Sequence, residues 1–341
     1  DVLENVVNAL ADLFLGPQKK DIRLTGHPDG NTWARVDDKT VGDIKFSGRE
    51  SLYAKLKDIA DSDAYKALTG SSPNLTLAAS TEIAAADARS DFAKFAALYS
   101  LSPFVLSGQA LEAQIKSAWG TTFDDWNADK TKAASAPLTF SGSWMADRAE
   151  FLKRKNWFNA ANLNPFDPAY QINSSGDAYR NEDSYYWDLA SDYRIAQGQV
   201  SGATRRYFFG DERGNVLDGR AANGNSVTDH LYGMAGQDVL IGGGGNDRLD
   251  GGRGYDSYVR NSDDGDDTIL DLDRKGRILI NGSAATLFVN KTDTTWVSPD
   301  GKLTLTQPAD SSSSWKLSID GGGSLDLGTS FTDGDLGLHR L

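Results

Sequence analysis

Three nine-residue units run head to tail from Gly233 to Val259, and no other feature of the 341 residues constrains the fold as strongly. They are Gly233 to Ile241, Gly242 to Asp250 and Gly251 to Val259. Each fits G-G-x-G-x-D-x-U-x, with an apolar eighth residue (Leu240, Leu249, Tyr258). The one break in that core pattern is Met234, at the second glycine of the first unit. A worn unit precedes them at Gly224 to Tyr232, keeping its first glycine, Asp229 and Leu231. Another follows out of step, with Gly265, Asp267 and Ile269 in the right relative places. A flexible glycine-rich linker has no reason to keep a nine-residue phase or an apolar eighth place.

The pattern carries a metal-binding mechanism. Glycine lets the backbone take positive φ in a tight turn, which aims carbonyls and one carboxylate at a common point. Calcium takes six to eight oxygens at roughly 2.3–2.6 Å, and such a turn can supply several. The rest of each unit is a very short strand with one inward apolar side chain. Two turns complete a coil, so equivalent turns recur every eighteen residues. That predicts Asp229 stacked with Asp247 on one edge and Asp238 with Asp256 on the other. Carboxylates about 5 Å apart repel by roughly 1–3 kcal/mol per pair without an ion between them. From Asp229 to Asp273 there are eleven Asp, three Arg and no Glu, and the short Asp side chain suits a ligand acting from inside a turn. The expected calcium ligands begin with Asp229. They continue with Gly233, Ala235, Gln237 and Asp238 in the first unit, then Gly242, Gly244, Asn246 and Asp247 in the second. Gly251, Arg253, Tyr255 and Asp256 follow in the third, then Asp264, Asp266, Asp267 and Asp273 beyond it. Asp211 to Gly219 reads as a decayed repeat, with Val216 where the aspartate belongs.

These residues resemble the RTX family (repeats-in-toxin, or haemolysin-type calcium-binding repeats), most specifically over Gly233 to Val259 and more loosely over Arg205 to Asp273. The resemblance implies a right-handed parallel β-roll, export by bacterial type I secretion machinery, an extracellular location and folding on meeting calcium. The family covers toxins, proteases, lipases and adhesins, so it names a folding device and not an activity.

Composition is consistent with this. A net charge of −13 argues against nucleic acid as a partner and against anionic membrane surfaces. There is no cysteine, so disulfides cannot staple the chain and bound metal is one alternative. No stretch reaches the eighteen or so apolar residues of a membrane helix. No secretory signal is visible at either end, and the chain opens at Asp1 straight into a helix, as a piece of a longer protein would.

The expected class is α+β. Residues 1–160 read as an all-helical domain, 161–204 as an irregular connector, 205–275 as the roll and 276–341 as an antiparallel β cap. Helices are expected over Asp1 to Leu15, from the capping box Ser47 to Glu50 into Leu68, and over Thr81 to Tyr99. Further ones are expected from Ser107 to Trp119, from a Thr122 cap to Trp126, and over Ser143 to Trp157. Trp119, Trp126, Trp144, Trp157 and Phe158 suit a core between helices better than a sugar-stacking platform. His27 reads as a turn residue, and Asp167-Pro168 lacks the acidic loop of a self-cleaving module. Asp177, Glu182 and Asp183 with Tyr185-Tyr186-Trp187 read as a solvated loop and a strand. Period-two segments at 278–280, 286–289, 295–297, 303–305, 315–319 and 325–327 read as strands of the cap, with turns at Asp300-Gly301 and Asp320-Gly321.

No catalytic motif is present. The three histidines are isolated, G-x-S-x-G does not occur, and there is no P-loop. The stretches Arg89 to Phe104 and Trp144 to Ala149 are similar to the helical region of large RTX exoproteins with a lipase-like hydrolase upstream. Three readings therefore stand: a calcium-binding folding module, the C-terminal part of an RTX lipase or esterase whose catalytic region lies before Asp1, and a calcium-dependent adhesin.

Overall fold

A computed structural model describes residues 10–11, 13–14, 24–26, 33–35, 58–69, 75–80, 83–108, 111–133, 137–160, 184–191, 193–196, 205–220, 227–261 and 264–341. The chain divides into two units, 1–163 and 164–341. The capping box at Ser47, His27, Asp167-Pro168, and the acids Asp177, Glu182 and Asp183 lie outside the described residues.

In the first unit, strands β1 (Leu24–Gly26) and β2 (Trp33–Arg35) pair antiparallel. Helix α1 spans Asp63–Thr69. Strands β3 (Leu75–Ala79) and β4 (Phe104–Gly108) form a second antiparallel pair, flanking α2 (Ala85–Ser90) and α3 (Phe92–Tyr99). Helices α4 (Leu111–Trp119), α5 (Thr121–Lys130) and α6 (Gly142–Ala160) follow. Among the described residues this unit has helices as expected and also two strand pairs, which an all-helical domain would not contain, and Ser107 lies in β4 instead of opening a helix. Of the helix expected over Asp1 to Leu15 only residues 10–11 and 13–14 are described. The single helix expected over 81–99 is two. Asp91 is extended (φ −122°, ψ 113°), and its carboxylate accepts from the backbone N–H of Ala93 at 2.9 Å and Lys94 at 3.2 Å. That cap starts α3 and stops α2. Gly120, with φ +51°, takes the place before α5 that the sequence assigned to Thr122.

Trp119, Trp126 and Trp144 of this unit are core. Phe92 meets Trp119, Phe123 and Trp126 at 5.1, 4.8 and 5.0 Å between ring centroids. Trp126 Nε1 donates to the Ala88 carbonyl at 2.9 Å and Trp119 Nε1 to that of Leu13 at 3.2 Å. Rings buried edge to face with their N–H groups satisfied are not free to stack on a sugar.

The second unit is a roll of two parallel sheets, with antiparallel strands added at its ends. Strands β5 (Ser184–Asp188), β7 (Arg205–Phe209), β9 (Thr228–Tyr232), β11 (Arg248–Asp250) and β13 (Asp266–Leu270) lie side by side, all parallel, and β6 (Tyr193–Ala196) pairs antiparallel with β5. The facing sheet is β8 (Val216–Asp218), β10 (Val239–Ile241), β12 (Asp256–Arg260) and β14 (Gly276–Ile280), also parallel. The chain alternates between the sheets, so each nonapeptide supplies one strand and two of them complete a coil of the roll. Leu217, Leu240, Tyr258 and Ile278 of one sheet and Phe208, Leu231, Leu249 and Ile269 of the other form a buried double column. Burying such a side chain is worth about 1.5–3 kcal/mol, which is what the apolar eighth place supplies.

Two boundaries differ from the sequence reading. The sheet begins at Ser184, inside the expected connector, because Tyr185, Trp187 and Phe208 extend the inner column with aromatic residues. Residues 276–280 are the last parallel strand of the roll, not the first of the cap. Beyond them come β15 (Ser283–Ala284), β16 (Leu287–Thr292), β17 (Thr295–Val297), β18 (Leu303–Thr306), β19 (Lys316–Ile319), β20 (Ser324–Asp326) and β21 (His339–Arg340). Strands β16 to β20 form an antiparallel meander, and β20 pairs parallel with β13. The cap thus covers the open edge that the end of a solenoid presents. Gly301 (φ +76°) and Gly321 (φ +70°) sit in the two expected turns.

Candidate metal centre

The turns between strands stack into two edges. Val239 pairs with Ser257 and His230 with Arg248, each eighteen residues apart. Val216 pairs with Val239 across twenty-three residues, and Asp256 with Gly276 across twenty. The flanking repeats therefore look out of step only because extra residues lie between β8 and β9 and between β12 and β13. This also corrects the register of the decayed repeat. Leu217 stands in the eighth place, opposite Leu240, so Asn215 and not Val216 takes the sixth.

Two glycine positions of the turn have different physical reasons. At Gly254, φ is +127° and an added Cβ would lie 1.6 Å from the Gly236 carbonyl of the coil below. Left-handed backbone and close stacking both demand glycine there. At Gly233 the space itself matters: a Cβ would lie 2.5 Å from Asp238 Oδ2 and 2.6 Å from the Gly251 carbonyl oxygen. The glycine keeps open a gap lined by oxygens. Met234 takes φ +77° although it is not glycine, matching the +86° of Gly252 in the same place of another unit.

The sixth-place aspartates form two ladders. On one edge Asp238 Oδ1 accepts from Asn215 N–H at 2.7 Å, and Asp256 Oδ1 from Asp238 N–H at 2.9 Å. On the other, Asp247 Oδ1 accepts from Asp229 N–H at 2.8 Å, and Asp267 Oδ1 from Asp247 N–H at 3.0 Å. Each carboxylate is pinned by one oxygen. The second oxygen of Asp238, of Asp247 and of Asp256 is buried without any hydrogen-bond partner. A buried acceptor left unsatisfied costs about 1–3 kcal/mol, more when charged. Burial accordingly pushes the carboxyls of Asp238 and Asp247 up to about 8 and that of Asp256 up to about 6. An oxygen-seeking cation meets this demand without a proton. Calcium's preference for carboxylate and carbonyl oxygen fits the donor set that these turns present.

The remaining expected ligands divide. Asp229 and Asp267 are in the ladder, but each also faces an arginine: Asp229 is held by Arg206, and Asp267 Oδ2 lies 3.2 Å from Arg260 Nη1. Burial pushes Asp229 up to about 7 and Asp267 up to about 6, with the arginines pulling the other way. The Gly242 and Gly251 carbonyls face the first-place glycines Gly219 and Gly233 of the preceding coil, beside Asp229 and Asp238. The Gly244 carbonyl accepts from Val227 N–H and that of Arg253 from Gly236 N–H, which leaves each its second lone pair. An added Cβ on Gly214 would lie 2.7 Å from the Gln237 carbonyl, while Ala235 bridges to Arg253. Tyr255 is exposed, and Asn246 Oδ1 is occupied by Asp266 N–H. Asp264 accepts from Asn261 N–H, Asp266 from Ser324 Oγ, and Asp273 from Lys275, so these three carboxylates have protein partners. Among the described residues no three His, Cys, Asp or Glu side chains converge, which leaves backbone carbonyls to complete any cation's shell.

Asp271 lies in the acidic stretch Asp264 to Asp273, whose sequence points to a last calcium after the roll, but it is not one of the individually expected ligands. It is buried, accepts from the Tyr258 hydroxyl at 2.9 Å, and burial pushes its carboxyl up to about 8. The turn 271–276 stacks on 251–256 without the glycine pattern, so its sequence carried no repeat signal beyond its acids.

Residues 223–258 match the family model of the RTX calcium-binding nonapeptide repeat, in four copies. No curated protein and no solved structure matches the chain. The likeness of residues 89–104 and 144–149 to hydrolase-associated helices lies outside the matched segment and gains no support from it. Four copies of the RTX calcium-binding repeat, wound into a parallel β-roll with aspartates stacked along both edges, make this segment of the chain an RTX repeat region.

Proposed function

We propose that this chain is a calcium-triggered folding and stabilising module of a secreted bacterial protein, passed through type I secretion machinery unfolded and wound into its roll outside the cell. The row of unpartnered buried oxygens on Asp238, Asp247 and Asp256 carries this reading. The side chains of these three residues would hold the ions, together with carbonyls such as that of Gly251 beside Asp238 Oδ2. A bound calcium ion supplies positive charge and coordination to oxygens that otherwise must be protonated or repel. At about ten times Kd each site adds about 1.4 kcal/mol to the folded state, so a few sites decide whether the roll exists. Where calcium is scarce, the aspartates hold the chain open by burial cost and mutual repulsion. No helix among the described residues is long and apolar enough to cross a membrane.

Circular dichroism during a calcium titration, reversed with EDTA, tests the proposal. The β signal of the roll and its Tm are expected to rise with calcium and to fall back with chelator. A spectrum and Tm indifferent to both would overturn it. Among the described residues no observation favours the hydrolase or the adhesin reading over this one.

A further inference from the structure

One ladder is bounded at both ends by arginine. Arg206 stands in register with Asp229, one step before the first aspartate. Its Nε lies 2.7 Å from Asp229 Oδ1 and its Nη2 lies 2.6 Å from Asp229 Oδ2, a bidentate pair between buried side chains. At the far end, Arg260 reaches into the space between the turns of Asn261 and Ser324. Its guanidinium donates to the carbonyls of Asn261 at 3.1 Å, Ser324 at 2.9 Å and Gly265 at 2.8 Å, and pairs with Asp267 at 3.2 Å. Three carbonyls and one carboxylate are the donor types that calcium takes in such turns. Here a protein cation holds them, and a guanidinium does not lose its charge at any physiological pH.

We propose that Arg206 and Arg260 are resident cations that close the Asp229–Asp247–Asp267 ladder, with Arg260 filling an oxygen cage that would otherwise take a calcium ion. The proposal rests on the calcium reading of the roll and adds where ions do not go. Asp247, whose Oδ2 is unpartnered, is the metal-dependent rung of this edge, while Asp229 and Asp267 are neutralised without metal. The two ends of this edge thereby need no ion of their own.

The test compares the full chain with Arg260→Ala and Arg260→Lys, counting bound calcium by equilibrium dialysis and following Tm in EDTA and in calcium. In EDTA, Arg260→Ala is expected to melt well below the wild type, with Arg260→Lys in between, because lysine keeps the charge and loses the planar fork. In calcium, Arg260→Ala is expected to recover the wild-type Tm and to bind about one more ion per chain. An Arg260→Ala chain with an unchanged ion count overturns the proposal, as does one that calcium cannot refold while it refolds the wild type. A wild-type chain that binds no calcium overturns the functional reading instead, and the EDTA ranking of the Ala and Lys variants still decides the arginine's role. Arg206→Ala serves as the second site, with loss of Tm in EDTA and recovery in calcium expected there too.

Discussion

One edge of the roll carries Asn215, Asp238 and Asp256 and continues to Gly276, while the other carries Arg206, Asp229, Asp247 and Asp267 with Arg260 beyond. Both are built from one nonapeptide and both stack their aspartates through the same N–H to Oδ1 contact. They differ in what neutralises the ends. The first begins on a neutral amide, and the Asp238 and Asp256 carboxylates each keep an unpartnered oxygen. The second has cations from the chain at both ends and one unpartnered carboxylate oxygen, that of Asp247, between them. A repeat therefore specifies geometry along its length but not charge balance, which is set at the ends by residues outside the consensus.

The sharpest way to break this comparison is to remove rungs. Asp238→Ala and Asp247→Ala are each expected to lose at least about 1.4 kcal/mol of calcium-dependent stability, read as a smaller Tm rise on adding calcium at about ten times Kd. Asp218→Ala should stay within about 0.5 kcal/mol, because Asp218 is exposed, off the ladder and paired with Arg220. Equal shifts for the three would mean that the ladder is not where ions act. In EDTA the order should invert, since each alanine then removes a buried acid that has lost its counter-charge.

A second prediction concerns pH. The carboxyls of Asp238, Asp247 and Asp256 bind their protons more tightly in the folded roll than in the unfolded chain, with values raised to about 8, 8 and 6. The stability tied to those protons is fully present below about pH 4 and lost as pH rises through the folded values. The calcium-free roll should thus melt at progressively lower temperature from about pH 5 to about pH 8. With saturating calcium the trend should flatten or reverse, because the ion competes with the proton. A calcium-free Tm that rises over this range would show that the aspartates are not desolvated as described.

The smallest expected effect lies on the first edge. Met234 occupies a left-handed position that glycine fills in the other units, and strain of that kind is worth about 1–2 kcal/mol for a residue with a Cβ. Met234→Gly should raise stability by up to about 1 kcal/mol after the added freedom of the unfolded chain is subtracted. A drop in Tm would mean that the methionine side chain contributes contacts outweighing its strain.

Much of the roll could be read from residue order. The period placed Leu240, Leu249 and Tyr258 in the core and Asp238 and Asp247 in the turns, because each nonapeptide is a local unit and the eighteen-residue coil follows from two of them. Asn215, not Val216, stands in the aspartate's place, which residue order conceals because Gly210 to Asp218 keeps the phase and its first glycine but carries Asp211 and Arg213 at the second and fourth places, and the extra residues between β8 and β9 hide its partner. The strand Ser184–Asp188 was recognised as a strand but not as part of the roll, because aromatic residues do there what Leu does in the repeats. In the first unit, alanine-rich composition concealed the break at Asp91, whose cap is a single hydrogen-bonding side chain within a helical run.

The sequence by itself determined the nine-residue turn, its inward apolar residue and the repeated aspartate, since all three are properties of neighbours along the chain. Tertiary structure decided which aspartates keep an unpartnered oxygen. Arg206 meets Asp229 twenty-three residues away, and Arg260 meets the Ser324 carbonyl sixty-four residues away, across the whole antiparallel meander. Contacts at those separations exist only once the coils have stacked, because charge neutralisation inside a low-dielectric edge depends on distance in space and not on position in the repeat.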